Sequence, residues 1–211
     1  MLDYTEYLKL FAALLAIINP LGAISMFIAL TPKKELAARK KIAKVASFSA
    51  TLILLVALVA GEGVLAIFGI SVNSFRVGGG ILILLMAISM LQAQLSLAVQ
   101  TKEEAEESDR KQDIAIVPLS TPLLAGPGSL STVVLYAHKG TGWGHEALIA
   151  LVILAVGTCI WSALHLAPWI SQRLGVTGIN IFTRIMGLIL AAIAVEIIAN
   201  GLKGLFPALT G

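Results

Sequence analysis

Long apolar stretches separated by short polar connections dominate this sequence. A helix that spans a bilayer needs about 20 consecutive, mostly apolar residues. Six stretches reach that length, which predicts six transmembrane helices at about residues 8–30, 43–68, 77–97, 114–137, 147–169 and 182–206. The pattern therefore predicts an all-α integral membrane protein, with a single membrane domain over residues 1–211.

Composition supports the same class. Hydrophobic residues make up 58% of the chain and charged residues only 13%, whereas about a quarter of a soluble protein is charged. The charges lie in a few clusters, so we expect a lipid bilayer and no nucleic acid as partner. Cys159 is the only cysteine, which excludes an intrachain disulfide and a cysteine metal cluster.

Two of the six stretches are interrupted by proline and glycine. Asn19-Pro20-Leu21-Gly22 lies inside the first, and Gly126-Pro127-Gly128-Ser129 lies inside the fourth. Proline removes a backbone donor and clashes with the preceding turn, and glycine adds backbone freedom. In a bilayer, freed backbone groups are tolerated only where protein or a wet cavity satisfies them. We therefore predict broken helices 1 and 4, with a polar site near the membrane midplane.

The two halves of the chain share these features. Asn19-Pro20 matches Gly126-Pro127 at an offset of 107 (126 − 19), and Arg76-Val77-Gly78-Gly79 matches Arg184-Ile185-Met186-Gly187 at 108 (184 − 76). We predict repeats at about residues 1–99 and 113–211, joined by a charged loop at 100–112. Three spans in each half require the halves to insert in opposite directions. Inverted repeats with discontinuous helices are typical of secondary transporters.

The distribution of Lys and Arg predicts the orientation. Eleven lie on the side that carries the loops after the first, third and fifth spans, and four lie on the other side. Because basic residues are enriched in cytoplasmic loops, we expect the 100–112 loop in the cytoplasm and both termini on the outer side of an inner membrane.

Each interruption offers a ligand the ends of two half-helices. A half-helix that ends near Ile18 presents carbonyls, and one that begins after Gly22 presents free amides of Ala23, Ile24 and Ser25. Two such sites facing each other suit the ammonium and carboxylate of an amino acid. The predicted substrate-binding residues are Asn19, Pro20, Gly22, Ala23, Ser25, Gly126, Pro127, Gly128, Ser129 and Ser131. The alternative is a pair of packing kinks without a ligand.

Three charged residues are candidates for coupling or gating. Glu196 lies about 18 Å into the sixth span, where a carboxylate by default marks an ion or proton path. Arg76 and Arg184 open the third and sixth spans on opposite faces of the membrane and are candidate gates. The alternatives are a hydrogen-bonded packing carboxyl for Glu196 and ordinary interface anchoring for the arginines.

Patterns typical of enzymes and cofactor sites are absent. The sequence has no histidine pair at metal-ligand spacing, no nucleophile elbow and no phosphate loop. Ser129 or Ser131 with His165 would lack a third group to orient the histidine. We place His138 and His145 in the outer loop between the fourth and fifth spans. We expect no enzyme activity, no metal and no cofactor.

Three motifs resemble those of the MarC family of inner-membrane proteins, and the resemblance covers essentially the whole chain. The motifs are Asn19-Pro20-x-Gly22, Pro118-Leu119-x-x-Pro122-Leu123-x-Ala125-Gly126-Pro127-Gly128 and Thr177-Gly178-Ile179-Asn180-x-x-x-Arg184-Ile185-x-Gly187-Leu188. Some members of that family, called SnatA, transport small neutral amino acids such as glycine and alanine. The resemblance implies six spans, inverted repeats, and a site at Asn19 to Gly22 and Gly126 to Ser129.

The expected function is secondary transport of small neutral amino acids by alternating access, coupled to H⁺ or Na⁺. The alternative is a membrane protein that transports nothing and acts as an assembly or regulatory partner. Substrate range, coupling ion, transport direction and oligomeric state stay open at this point.

Overall fold

The computed structural model describes residues 2–31, 34–92 and 124–210, and all regular structure in these ranges is helical. The elements are α1 (Tyr4–Ile18), α2 (Pro20–Leu30), α3 (Leu36–Ile67), α4 (Val72–Leu91), α5 (Pro127–His138), α6 (Trp143–His165), α7 (Ala167–Leu205) and a 3₁₀ turn (Pro207–Thr210). The predicted 100–112 loop and the first part of the predicted fourth span lie outside the described residues.

Five helical segments in the described ranges are long and apolar enough to cross a membrane. They are Tyr4–Leu30, which comprises α1 and α2, then α3, α4, α6 and α7. Their outward faces carry exposed Val59, Ile67, Leu85 and Leu188, as a lipid-facing surface requires. An all-α protein with several membrane helices is thus confirmed.

Two predicted helix boundaries were wrong. The basic segment after Thr31 was expected to be a connection as far as Lys44, but α3 begins at Leu36 and carries Lys40 and Lys44 on its first turns. The connection between the fifth and sixth spans was expected at about 170–181, but α7 begins at Ala167, with one non-helical residue, Gly175. Gly175 has φ 62° and ψ 178°, a combination that a side chain disfavours, so the chain turns there before the long apolar part of α7.

The helices pack as a bundle with α4 lying along α7 and α3 lying along α6. Helices α1 and α2 pack against α6 and α7, while α5 packs against α3 and α4. The core contains two clusters. The larger joins α1, α2, α3, α5, α6 and the first part of α7, and the smaller joins α1, α4 and the later part of α7 around Ile17, Ile83 and Leu190. Helix α1 contributes to both clusters, so its end at Ile18 lies deep in the molecule.

Backbones approach closely between α4 and α7. A Cβ on Gly80 would lie 3.2 Å from the Ala194 carbonyl oxygen, and one on Gly187 would lie 3.0 Å from the Ala87 carbonyl oxygen. Helices meet this closely only where small residues leave the backbone uncovered. The two contacts show that α4 and α7 are antiparallel, and a Cβ on Gly201, 3.0 Å from the Asn73 carbonyl oxygen, extends the close contact to the first turn of α4.

Candidate functional site

The first interruption is a single residue, Asn19. It is the only described non-glycine residue with positive φ, at 47°, and it is 7% exposed. Asparagine tolerates this left-handed conformation better than most residues because its short side chain bonds locally. Its Oδ1 accepts a hydrogen bond from the Gly22 amide at 3.1 Å, and its Nδ2 donates to Thr183 Oγ1 at 3.3 Å. The interruption is therefore capped by its own side chain and tied to α7.

Carbonyls at the end of α1 lose their usual donors. The helical partner of the Ala16 carbonyl would be the amide of residue 20, which is proline and has none. The partner of the Ile18 carbonyl would be the Gly22 amide, which bonds Asn19 instead. Ala16 and Ile18 are 2% and 3% exposed. The C-terminal end of α1 thus presents a partial negative charge inside the protein.

The amides expected to be free on the other side of Asn19 are not free. Helix α2 begins at Pro20, three residues earlier than the predicted start after Gly22. The Ala23 amide donates to the Asn19 carbonyl at 3.0 Å, and Ile24 and Ser25 lie in the regular part of the helix. Ser25 is also exposed. The prediction of free amides at Ala23, Ile24 and Ser25 was wrong because capping by Asn19 starts the helix earlier.

The second interruption lies at the start of α5. Gly126 is the N-cap residue and makes no side-chain cap, so the amides of Gly128 and Ser129 have no intrahelical partner. Both residues are buried, and Ser129 Oγ donates to the Gly126 carbonyl at 2.9 Å. Ser131 is 3% exposed and Pro127 is exposed. The residues before Leu124 lie outside the described ranges, so a preceding half-helix stays a prediction.

The structure brings the two interruptions together. A Cβ on Gly128 would lie 3.3 Å from Ile17 Cγ2, and 3.2 and 3.1 Å from Ile83 and Met86 side chains. Ile17 is in the last turn of α1. The negative end of α1 and the positive end of α5 therefore lie side by side near the centre of the bundle, walled on one side by α4.

A cavity of about 480 Å³ opens at the end of the bundle where α1 begins and α7 ends. We call it the terminal cavity. Helices α1, α4, α5 and α7 line it with Glu6, Lys9, Ala12, Ala13, Arg76, Thr132, Leu135, Tyr136, Lys139, Ile189, Ile193, Glu196, Ile197 and Asn200. Thr132 Oγ1 donates to the Gly128 carbonyl at 2.8 Å. The terminal cavity therefore reaches to about one and a half helical turns from the start of α5.

The charges of the terminal cavity are unevenly paired. Glu6 accepts from Lys9 at 2.7 Å and from Lys139 at 3.0 Å, joining α1 to the end of α5. Arg76 makes one long hydrogen bond, from Nη1 to Asn73 Oδ1 at 3.5 Å. Among the described residues, Glu196 makes no hydrogen bond or ion pair. Arg76 and Glu196 thus share a cavity as opposite charges that do not bridge to each other.

Arg184 lies apart from the terminal cavity. It is exposed and follows Thr183, the residue that accepts from Asn19. The structure therefore groups Arg76 with Glu196 and places Arg184 next to the first interruption.

The predicted position of His145 was wrong. His145 was expected in an outer loop, but it lies in the first turn of α6 and is 1% exposed. Its Nε2 lies 3.0 Å from the Tyr136 carbonyl and must donate to it, and its Nδ1 lies 2.8 Å from the Tyr7 hydroxyl. The Tyr7 hydroxyl is 138 residues away in sequence. Only folding reveals such a contact, so sequence spacing gave no signal for it.

Other histidines make simpler contacts. His138 Nδ1 lies 2.9 Å from a Glu62 carboxylate oxygen, which joins α5 to α3, and the His165 ring lies 5.2 Å from the Trp161 ring. No group of three or more potential metal ligands occurs in the part of the chain that the structure describes.

Comparison with known proteins agrees with this architecture. The family described as MarC family integral membrane protein matches residues 4–206. The chain is 42% identical over 207 residues to UPF0056 membrane protein BU267 of Buchnera aphidicola, covering 98% of this chain and 96% of that protein. It is 39% identical to membrane protein YhcE of Escherichia coli, covering 98% and 96%.

A third relative comes from a different lineage. Membrane protein YvbG of Bacillus subtilis is 41% identical over 209 residues, covering 98% of this chain and 99% of that protein. No solved structure matches the chain. Since the family match spans nearly all of the sequence and the relatives align over their full lengths, the chain belongs to the MarC family of integral membrane proteins.

Proposed function

We propose that this protein is a secondary transporter that moves small neutral amino acids, such as glycine and alanine, across the inner membrane by alternating access. One observation carries the proposal. The negative end of α1 and the positive end of α5 lie side by side inside the bundle, next to a cavity that opens at one end of the molecule. A ligand with both charges is complementary to that pair of helix ends.

Each of the two helix ends would bind one charged group of the amino acid. The carbonyls of Ala16 and Ile18 suit an ammonium group, and the amides of Gly128 and Ser129 suit a carboxylate. The start of α2 is already occupied by Asn19, so the proposed anion site is the start of α5. Ile17 and Ile83 pack against Gly128, so a ligand would enter only when these side chains move apart, and recognition through backbone favours a ligand with a small side chain.

Packing supports the inverted repeat on which alternating access would depend. The arrangement of α1 and α2 against α6 and α7 has its counterpart in α5 against α3 and α4. Each of the pairs α4–α7 and α3–α6 would join repeat-related spans. This is the contact pattern expected of two halves related by a two-fold axis in the membrane plane.

Exchange of labelled glycine and alanine in proteoliposomes tests the proposal. Gly128→Val places a branched side chain on the proposed carboxylate site and against three packed side chains, so we expect exchange to be lost. Ser129→Ala removes one hydroxyl and its hydrogen bond to the Gly126 carbonyl. That loss is worth about 1 kcal/mol, so affinity falls by about fivefold at most.

Gly63→Val is the matched control because a Cβ at Gly63 meets nothing within 4 Å. It should exchange like the wild type. Each variant is first checked for monodispersity in detergent. A well-folded Gly128→Val protein with wild-type exchange would refute the site.

Coupling to H⁺ or Na⁺ is part of the proposal, and Glu196 is its candidate residue. Glu196 faces the terminal cavity, from which protons can reach it. We expect Glu196→Gln to abolish accumulation driven by a pH gradient while exchange without a gradient persists. Unchanged pH-driven accumulation would exclude Glu196 as the proton carrier and favour sodium or another group.

A second function is favoured by the packing at Gly128. Ile17, Ile83 and Met86 lie so close that this conformation leaves no room for a ligand at that residue. The same contacts fit a membrane protein that transports nothing and serves as an assembly or regulatory partner. Absence of saturable exchange across a broad amino-acid panel would favour that function.

A further inference from the structure

The terminal cavity contains two opposite charges, Arg76 and Glu196, that form no ion pair within the described ranges, although Lys9 is close enough to Glu196 to interact with its charge. Lys9 and Lys139 are both bound to Glu6, which leaves that group of three with no free carboxylate oxygen. Arg76 has only its long bond to Asn73, on its own helix, and Glu196 has no bonded partner in the described ranges. One positive and one negative group thus remain for a ligand.

Packing of α4 on α7 sets the levels of Arg76 and Glu196 along the two helices. A Cβ on Gly201 would lie 3.1 Å from the Val77 nitrogen, so Arg76 is level with the residues around Gly201. Gly80 meets Ala194 and Ile198, so Glu196 is level with Gly80. Four residues along a helix correspond to about 6 Å, which places Glu196 about one turn deeper than Arg76.

Arg76 and Glu196 form no ion pair with each other in the structure, and a small ligand between two helix levels about 6 Å apart can contact both side chains. An α-amino acid carries its ammonium and its carboxylate on the same carbon. One small molecule can therefore make a hydrogen bond to each of the two side chains. Arginine binds carboxylates through a planar fork of donors, and a carboxylate accepts from ammonium. A purely anionic ligand would leave Glu196 unpaired, and a purely cationic one would leave Arg76 unpaired.

We infer that Arg76 and Glu196 form a second amino-acid subsite in the terminal cavity, with Arg76 on the carboxylate and Glu196 on the ammonium. The subsite rests on the proposed function and extends it. It holds the substrate in the terminal cavity before the substrate reaches the backbone site between α1 and α5. The terminal cavity, at about 480 Å³, has room for the ligand and for water around it.

Exchange kinetics without any ion gradient test this subsite, because the coupling role of Glu196 does not enter. We expect Arg76→Gln and Glu196→Gln each to raise the KM for glycine about tenfold, as loss of one charge-assisted hydrogen bond predicts, with kcat within about twofold. Arg76→Lys keeps the charge but loses the planar fork of donors, so its KM should lie between those of the wild type and Arg76→Gln. The double variant Arg76→Glu/Glu196→Arg retains one charge of each sign and should recover part of the lost affinity.

Matched controls are Lys203→Gln and Glu146→Gln, which remove exposed charges outside the terminal cavity and should leave KM unchanged. Acetate and methylamine, which carry only one charge each, should compete with glycine poorly. An unchanged KM in either single variant, a fall in kcat alone, or full competition by acetate would overturn the subsite while wild-type exchange continues. If the wild-type protein exchanges no amino acid, the proposed function fails as well.

Discussion

Asn19 combines three roles that are usually divided among several residues. It takes the left-handed conformation, its side chain caps α2 through Gly22, and it reaches α7 through Thr183. The sequence located the interruption from Asn19-Pro20 but could not reveal the cap, which depends on the rotamer of one side chain. It also could not reveal Thr183, which lies 164 residues further along the chain.

Variants of Asn19 separate conformation from capping. Asn19→Gly keeps the left-handed backbone and loses the cap, whereas Asn19→Ala loses the cap and adds the cost of a Cβ at φ 47°. We expect Asn19→Ala to be less stable than Asn19→Gly by about 1 kcal/mol. Thermal unfolding in detergent measures the order of the two midpoints.

Thr183→Val serves as the control, since it removes the bond to Asn19 Nδ2 and leaves the cap on Gly22 in place. It should lower the midpoint less than either variant of Asn19. An alanine variant as stable as the glycine variant would show that Asn19 relaxes out of the left-handed conformation at no cost.

At the scale of elements, hydropathy predicted most spans well because each has a long apolar run. It failed at the ends of helices. The basic residues after Thr31 look like a loop by composition, but Lys and Arg are good helix formers and extend α3 beyond its apolar part. The terminal cavity was not predicted either, because its lining comes from four helices that lie far apart in the sequence.

The contact between α4 and α7 gives a prediction at this scale. Gly80 and Gly78 lie in the same helix, but a Cβ on Gly80 would lie 2.6 Å from Ile198 Cγ1 and 3.2 Å from two backbone atoms, while Gly78 has nothing within 4 Å. Gly80→Ala should therefore destabilise the protein by about 1–3 kcal/mol through overpacking.

Gly78→Ala should be neutral or stabilising by up to about 1 kcal/mol, because alanine favours helix and meets no neighbour. Unfolding of the purified proteins in detergent compares the two variants. Equal stability of both would mean that α4 and α7 do not touch at Gly80.

At the scale of the molecule, the inverted repeat and the orientation stay predictions. The described residues contain three span-length helical segments in the first half and two in the second, besides the 12-residue α5. The terminal cavity, the start of α1, the end of α7 and the end of α5 lie at the same end of the bundle. The count of eleven basic residues against four predicts that this end faces outward.

Reporter fusions test the orientation directly. A fusion after Lys203 should report the outer side, and a fusion within residues 103–109 should report the cytoplasm. A C-terminal fusion that is active in the cytoplasm would reverse the orientation or change the number of spans. In that case the terminal cavity would open to the cytoplasm, and substrate would enter it from inside the cell.

The glycine contacts between α4 and α7 also bear on how such a protein can move. Helices whose backbones touch at both ends of their overlap can neither slide nor separate without losing contacts along their whole length. We therefore expect α4 and α7 to move together as one rigid unit. Relative movement of helical segments should then occur where two segments are joined by a single residue. Asn19, with its left-handed backbone, and Gly126, without a side-chain cap, are the residues at which we expect this displacement. The interruptions at the proposed ligand site would then also be hinges, so a substrate bound there would act directly on the residues about which the helical segments turn.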